Sequence, residues 1–322
     1  MKRNSIAIAM IMIIALVVSA VLFYKDSKGN SQQKIIGIIQ TTTTNSLDKA
    51  REGFIEEIHR QVGDTITFVI ENAEGSEEET RAIAERFHED KTLDAIYAIA
   101  TPALQSIACI EKKRPVFVAA ISKPEDLGIL YDGSNVCGMS DKTDIVKHIA
   151  MVRELIPGVH NVALMYNPKE TNSCIMVDEM RQELERKGLN VFEVEVSNKG
   201  DITMKVEEVS SYVDAILIPA DNLLTSIMHT FAAKALEYGV PVIACDMGTI
   251  EDGALAATSV DYKELGAKTA QVALEVLMVG RNPDEMSVEM PERAGFFVNA
   301  AHVTEMGIAT TEEIEKSGMI VK

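Results

Sequence analysis

The chain of 322 residues lacks tryptophan and has only seven tyrosines and nine phenylalanines. The absence of tryptophan excludes a sugar site built on tryptophan stacking, although tyrosine or phenylalanine could take that place. Basic residues are also outnumbered: 31 lysines and arginines face 49 aspartates and glutamates, which gives a formal net charge of −18. Nucleic acid is therefore excluded as a partner, since no basic stretch could neutralise its phosphates. Acidity of this kind more often serves solubility than a specific function.

Motifs for metal binding and catalysis are missing too. The four cysteines, Cys109, Cys137, Cys174 and Cys245, form no Cys-x-x-Cys pair, and the six histidines form no His-x-x-x-His pair. There is no Gly-x-Ser-x-Gly elbow and no glycine-rich phosphate loop. We therefore expect no metal, no cofactor and no catalytic residues. The sequence leaves the pairing of the cysteines open.

An apolar run occupies the N-terminus. Lys2 and Arg3 precede the apolar residues 6–24, and the polar residues 25–33 follow them. The run is long for a signal peptide and just long enough to span a bilayer, so a cleaved signal and an uncleaved membrane anchor both stay open. In either case the body of the chain is exported, to the periplasm or to the outer face of the cytoplasmic membrane.

A strand–turn–helix unit occurs twice in the chain. Residues 94–106 and 214–226 both begin Asp-Ala-Ile, continue as an apolar strand and turn into a helix. A similar series of strands and helices precedes and follows each copy. Strands that alternate with helices predict parallel sheets with helices on both faces. We therefore predict an α/β fold of two similar Rossmann-like lobes with a cleft between them.

Polar residues follow the predicted strands where the next helices begin. Ligands of parallel sheets bind at the carboxyl ends of the strands, so these residues are candidates for a binding site. The candidates are Gln40, Thr101, Pro102, Ala103, Ser122, Asn167, Thr171, Asn172, Ser173, Asp221, Asn222 and Asp246. Several are also ordinary helix caps or turn residues, which would explain them without any ligand.

The candidates combine groups for an anion with groups for a cation. With Thr101 as N-cap, a helix beginning at Pro102 would offer the free N–H groups of Ala103 and Leu104 to a carboxylate. Asp221 and Asp246, at strand ends of the other lobe, suit an ammonium group. A site with both kinds of group fits a zwitterion such as an amino acid.

Several short segments carry a family resemblance through their order and spacing. They are residues 37–40, Ala100-Thr101-Pro102-Ala103, Tyr166-Asn167-Pro168 with Glu170-Thr171-Asn172-Ser173, Pro219-Ala220-Asp221-Asn222, residues 241–246, and Val260-Asp261-Tyr262 with Leu265-Gly266. Over about residues 34–300 the chain resembles the ABC-transporter substrate-binding family that includes tryptophan- and tyrosine-binding lipoproteins. The resemblance implies the type I periplasmic-binding-protein architecture, in which the turns that match the candidate residues line the cleft.

The resemblance also implies a division of the chain. Three crossings near residues 143, 260 and 283 would give lobe 1 as residues 34–143 with 262–282. Lobe 2 would comprise residues 144–261 with 283–322, including a strand over residues 287–298, and residues 1–33 would be leader and linker. The implied function is the solute-binding component of an ABC importer: the lobes close on a small-molecule ligand, and the protein delivers it to a membrane permease with a cytoplasmic ATPase.

Two departures from the family leave the ligand open. No lipobox cysteine follows the apolar run, and residues 41–44 are four threonines where relatives tend to have a bulkier sequence. That loop would cover the ligand side chain, so an aromatic or apolar amino acid is expected but a sugar or nucleoside stays possible. A membrane-anchored ligand sensor of the same fold is the alternative function, and an exported enzyme would need a catalytic group in the cleft.

Overall fold

The computed structural model describes residues 33–131, 133–290, 295–308 and 320–321. The apolar run at residues 6–24, and with it the question of a cleaved signal or an anchor, lies outside the described residues. Among the helices of these ranges, none has the length and apolar character needed to cross a membrane.

Strands and helices alternate through most of the described chain. The strands are β1 Lys34–Gln40, β2 Ile66–Asn72, β3 Ala95–Ile99, β4 Val116–Ile121, β5 Val136–Ser140, β6 Asn161–Tyr166, β7 Asn190–Glu195, β8 Ala215–Ile218, β9 Val242–Ala244, β10 Ala256–Ser259, β11 Val288–Glu289, β12 Gly295–Val298 and β13 Ile320–Val321. The helices are α1 Asn45–Val62, α2 Glu77–Glu89, α3 Thr101–Ile110, α4 Ile145–Leu155, α5 Thr171–Arg186, α6 Ile202–Val209, α7 Asn222–Thr225, α8 Met228–Glu237, α9 Gly248–Glu251, α10 Tyr262–Leu274 and α11 Ala300–Glu305.

The strands form two sheets, one in each lobe. The first has the order β11-β5-β4-β3-β1-β2, and the second has the order β13-β12-β10-β9-β8-β6-β7. Every pairing in the first sheet is parallel, whereas β12 runs antiparallel to β10 in the second. The central strands are buried along their whole length, as continuous apolar runs between two helical layers should be. The predicted α/β fold with two similar lobes is confirmed.

The chain passes between the lobes three times. β5 belongs to the first sheet, and the following α4 packs into the core of the second lobe. β10 belongs to the second sheet, and α10 returns to the core of the first. The single strand expected over residues 287–298 is two strands: β11 pairs with β5 in the first sheet, and β12 pairs with β10 in the second. The last passage therefore follows Glu289 and is not near residue 283, because β11 first covers the edge of β5 that would otherwise stay unpaired.

Two glycines allow α1 and α10 to cross in backbone contact. A Cβ atom at Gly53 would lie 2.1 Å from the carbonyl oxygen of Lys263, and one at Gly266 would lie 2.0 Å from that of Ala50. No larger side chain fits either position without moving a helix. The crossing anchors the segment that follows β10 to the first lobe, and it places Tyr262, the first residue of α10, at the carboxyl ends of the first sheet.

The cysteines take no part in cross-links. Cys109, Cys137, Cys174 and Cys245 are all free thiols. Cys137 and Cys245 are buried, and desolvation raises the pKa of both thiols. These two are therefore small apolar core residues and are not reactive ones.

Candidate functional site

A small inner cavity lies where the carboxyl ends of the two sheets face each other. Its volume is about 20 Å³, enough for about one water molecule. Both lobes contribute to its wall. From the first lobe come Leu47, Ala100, Thr101, Ala120, Ser122, Asp141 and Tyr262, and from the second come Asn172, Ala220, Asp221, Asn222, Thr225 and Asp246.

A larger cleft of about 570 Å³ opens beside the inner cavity. We call it the mouth. Its walls come from α2, α3, residues 41–42 and Gly75 on one side and, on the other, from residues 167–171, residues 197–199 and residues 222–226. Asn222 lines both spaces, so the mouth and the inner cavity are neighbours.

The candidate residues predicted from the sequence fall into three groups. Thr101, Ser122, Asn172, Asp221, Asn222 and Asp246 line the inner cavity. Pro102, Asn167 and Thr171, again with Asn222, line the mouth. Gln40, Ala103 and Ser173 have no side chain in either wall.

Gln40 is engaged inside its own lobe. Its side chain is completely buried, and its amide nitrogen donates to the Thr42 carbonyl and to Asp48 Oδ1, both at 2.8 Å. Its amide oxygen accepts from Arg51 at 2.5 Å. These bonds hold residues 41–44 against α1 and leave no polar group for a ligand. A polar side chain at the end of a buried strand suggested function, but burial with internal partners explains it equally well.

Two buried acceptors in the cavity wall have no hydrogen-bond partner. They are Asp141 Oδ1 from the first lobe and Asn172 Oδ1 from the second, and no other buried side-chain nitrogen or oxygen of the described residues is left in this state. The orientation of Asn172 follows from its neighbour: its amide nitrogen donates to the Ala220 carbonyl at 2.6 Å, so its oxygen must point away. Buried acceptors require a donor, and an ammonium group has three.

Asp141 was not among the residues predicted from the sequence. It follows β5 as Asp221 follows β8, and its Oδ2 accepts from the Tyr262 hydroxyl at 2.9 Å. Burial raises the pKa of Asp141, while the hydrogen bonds from Tyr262 and Ser122 counter that rise. The polar pair Ser140-Asp141, which directly follows the apolar residues of β5, was the available signal, by the same criterion that selected the other candidates.

Asp221 serves mainly as a helix cap. Its carboxylate accepts from the Leu224 N–H at 2.9 Å, from the Asn167 N–H at 2.6 Å and from the Ser173 hydroxyl at 2.6 Å. Burial and the nearby charge of Glu170 raise its pKa. The alternative interpretation of Asp221 as a cap thus describes its contacts, although the residue also borders the inner cavity.

Asp246 joins the two lobes. Its Oδ1 accepts from the Ser46 hydroxyl of the first lobe and from the Gly248 N–H at 2.8 Å. A Cβ at position 248 would lie 2.5 Å from Ser46 Oγ, so the close approach depends on that glycine. Burial raises the pKa of Asp246 to about 6.

Further contacts between the lobes lie on both sides of the cleft. Lys49 Nζ lies 3.1 Å from Glu251 Oε1 on the side of α1. On the other side, Lys123 Nζ lies 2.5 Å from Glu179 Oε1, and Gln105 donates to the Thr171 hydroxyl at 3.3 Å. The lobes are therefore closed on each other.

The N-terminus of α3 differs from its prediction. Ala100 is the N-cap, with φ 75° and no side-chain cap, so Thr101 is the first helical residue. Because the Leu104 N–H donates to the Ala100 carbonyl at 3.1 Å, Leu104 is not a free donor. Within the described residues the N–H groups of Thr101 and Ala103 have no bonded partner. The prediction was shifted by one residue, since a threonine before proline is a common cap whereas an alanine is not.

Two alanines in the cavity wall hold strained backbone. Ala100 has φ 75° and Ala120 has φ 59°, values that cost a non-glycine residue about 1–3 kcal/mol. Both alanines line the inner cavity. Strain of this kind concentrates at ligand sites, because the surrounding fold must hold it in place.

Among the described residues no cluster of three or more histidine, cysteine or acidic side chains is arranged for a metal ion. What the wall presents is one pair of acceptors and the N–H group of Thr101, with the N–H group of Ala103 two residues further on, and a limited volume. This arrangement suits a small organic molecule with a positive and a negative group.

Comparisons with known proteins agree with this geometry. The family described as "ABC transporter substrate binding protein" matches residues 35–322. A tyrosine-binding protein from Clostridioides difficile is 33% identical over 281 residues, covering 85% of this chain and 80% of that protein. A domain from Streptococcus pneumoniae solved in complex with L-Trp is 26% identical, covers 90% of this chain and 100% of its own, and superposes with a TM-score of 0.85.

A second solved structure sharpens the comparison. A ligand-free, open substrate-binding protein with adhesive properties from Clostridium difficile is 28% identical, covers 90% of this chain and 99% of its own, and has a TM-score of 0.67. The structure with the higher identity thus superposes less well than the L-Trp complex.

Proposed function

Because the chain belongs to the ABC transporter substrate-binding protein family, we propose that it is the extracytoplasmic receptor of an ABC importer for an amino acid with an aromatic or apolar side chain. Its family consists of solute-binding receptors and not of enzymes. The observation that carries the choice of ligand is the pair of unpartnered acceptors, Asp141 Oδ1 and Asn172 Oδ1, one from each lobe.

The two ends of an α-amino acid have matching groups in the wall and next to it. The ammonium group would donate to Asp141 and Asn172, and the carboxylate would accept from the free N–H groups of Thr101 and Ala103. Since acceptors from both lobes share one ammonium group, the ligand stabilises the closed state through contacts that the open state cannot make. The relatives that bind tyrosine and L-Trp support this ligand class.

The side chain of the ligand would extend toward the mouth. The inner cavity of about 20 Å³ cannot hold an aromatic ring, whereas the mouth, at about 570 Å³, lies within the usual range of ligand pockets. A ligand of this size requires the lobes to part slightly around Asn222, which separates the two spaces.

The transporter partners follow from the family. The protein would deliver its ligand to a membrane permease with a cytoplasmic ATPase, and residues 6–24 would export it or hold it at the outer face of the membrane. A membrane-anchored sensor is favoured by one observation, the length of that apolar run. Loss of amino acid uptake on deletion of the gene would support the importer component, and unchanged uptake would favour the sensor.

A thermal-shift screen of the full-length protein against the amino acids, several sugars and nucleosides tests the ligand class. A ligand at 100 times its dissociation constant adds about 2.7 kcal/mol to the free energy of unfolding. We expect a shift with one or a few amino acids and none with the corresponding amino alcohols or N-acetyl derivatives. A shift only with sugars or nucleosides would contradict the proposed ligand.

A further inference from the structure

We propose that Tyr262 is a positioning residue, which orients the Asp141 carboxylate so that one oxygen faces the ammonium group of the ligand. The inference rests on the proposed function, because it assumes an amine-bearing ligand in the inner cavity. The Tyr262 hydroxyl donates to Asp141 Oδ2 at 2.9 Å, and the other oxygen, Oδ1, is buried without a partner in the cavity wall.

Orientation is a real requirement for this carboxylate. The terminal torsion of an aspartate is broad, so the side chain alone does not decide which oxygen points where. The hydrogen bond from Tyr262, at the start of α10, decides it here, because it takes Oδ2 and leaves Oδ1 directed into the cavity. Ser122, which follows β4, lowers the pKa of the same carboxyl.

The hydrogen bond also joins two of the passages between the lobes. Asp141 follows β5 just before the first passage, and Tyr262 begins α10 just after the second. Closure of two lobes is absorbed by such connecting segments. A ligand held by Asp141 is therefore bound next to the segments that move, and Tyr262 ties them together on the ligand side.

The surroundings make the ionisation of Asp141 sensitive to its donors. Asp221 and Asp246 line the same cavity, the Cys245 thiol lies close by, and the cavity wall has no lysine or arginine. The neighbouring Lys142 is paired with Glu125. Burial raises the pKa of Asp141, and the bonds from Tyr262 and Ser122 lower it. Loss of either donor should therefore raise this pKa further and favour the neutral acid, which holds an ammonium group poorly.

The test is Tyr262→Phe in the full-length protein, with binding of L-tyrosine, L-tryptophan and L-leucine measured by calorimetry between pH 4.5 and 8. We expect binding about tenfold weaker at pH 7.5, because a hydrogen bond to a charged group is lost. The pH at which affinity falls to half on the acid side should rise by roughly one pH unit. A role in packing alone would not move that midpoint.

A matched control is Tyr97→Phe. Tyr97 is a buried tyrosine of the same lobe whose hydroxyl donates to the Ala50 carbonyl at 3.4 Å, and it does not line the cavity. We expect its midpoint to equal that of the wild type. Ser122→Ala, which removes a hydroxyl that lowers the pKa of Asp141, should raise the midpoint as Tyr262→Phe does, and it carries the test if Tyr262→Phe does not fold.

The outcomes separate the two proposals. If the wild type binds none of the three amino acids, the proposed function fails, and the role of Tyr262 fails with it. If the wild type binds one of them but neither Tyr262→Phe nor Ser122→Ala moves the acid midpoint, the receptor function stands and the positioning role is overturned.

Discussion

The two copies of the repeated unit end in opposite ways. In the first, the turn after β3 is capped by the backbone of Ala100, and the N–H groups of Thr101 and Ala103 have no partner in the part of the chain that the structure describes. In the second, the turn after β8 is capped by the Asp221 carboxylate, which bonds the Leu224 N–H. The same topology therefore yields one turn that is open to a ligand and one that is satisfied within its lobe. Binding groups arise where the repeat is least regular.

The largest expected effect is on the free energy of unfolding, and it comes from the turn after β8 that Asp221 caps. Asp221→Ala leaves the Asn167 and Leu224 N–H groups and the Ser173 hydroxyl without their acceptor. We expect the free energy of unfolding to fall by about 3 kcal/mol, since each buried unsatisfied group costs about 1–3 kcal/mol and relief of a buried charge offsets part of the loss. Urea unfolding measures it.

The control for that variant is Asp221→Asn. Asparagine caps helices as well as aspartate does, and it removes a carboxyl whose pKa is raised by burial. Its amide oxygen can keep the bond from Leu224, but its amide nitrogen cannot accept from Asn167 and Ser173. We therefore expect a loss above about 1 kcal/mol but smaller than that of Asp221→Ala. Equal losses for the two variants would mean that charge, and not capping, is what Asp221 supplies.

The second effect concerns Asp246, which accepts from Ser46 across the lobes as well as from Gly248 within its own lobe. Its pKa is raised to about 6 in the closed state, above about 3.9 in water. Closure therefore favours the protonated form of Asp246. The resulting stabilisation of the closed state is fully present below pH 4 and is lost as the pH rises through 6. We expect the ligand-free protein to favour closure at pH 5 over pH 7.5 by about 1–2 kcal/mol.

Small-angle X-ray scattering on the ligand-free protein measures this shift as a smaller radius of gyration at pH 5. Asp246→Asn has no titrating group at this position, and its radius should change less between the two values of pH. A wild-type radius that is independent of pH would remove Asp246 from the closing contacts.

The third effect is on ligand affinity, and it comes from the turn after β3 at the start of α3. Thr101→Pro removes one of its two free N–H groups at a helix position that favours proline. We expect amino acid binding to weaken by about 1.5 kcal/mol, the value of a hydrogen bond to a charged group. Thr101→Val keeps the N–H group and should bind as the wild type does, so equal weakening in both would assign the effect to the hydroxyl. Calorimetry with L-tyrosine or L-tryptophan compares them.

The smallest effect comes from the strain in the open turn. Ala100→Gly relieves a positive φ, and we expect the free energy of unfolding to rise by about 0.5–1 kcal/mol. Ala98→Gly, in the regular part of β3, should lower it by a similar amount. A loss of stability in both variants would show that the conformation of Ala100 is not strained.

The sequence predicted some features of these residues and not others. The apolar strands, the repeat and the place of the candidate residues at strand ends could be predicted, because period and turn chemistry are local. The partners of each polar group could not. Gln40 and Asp221 have the polar type and the position of ligand contacts, but neighbours from other segments use their hydrogen-bonding atoms. Asp141 lies at an equivalent strand end and keeps one oxygen free.

The sequence by itself determined the two-lobed α/β fold and the family, since these depend on periodicity and the order of short segments. Only the tertiary structure decided which acceptors stay unpartnered in the cavity, where the last passage between the lobes occurs and that Tyr262 meets Asp141. Each of these depends on contacts between residues far apart in the chain, such as the 121 positions that separate Tyr262 from Asp141. Burial and hydrogen-bond satisfaction are properties of the packed chain, so no local pattern in the sequence contains them.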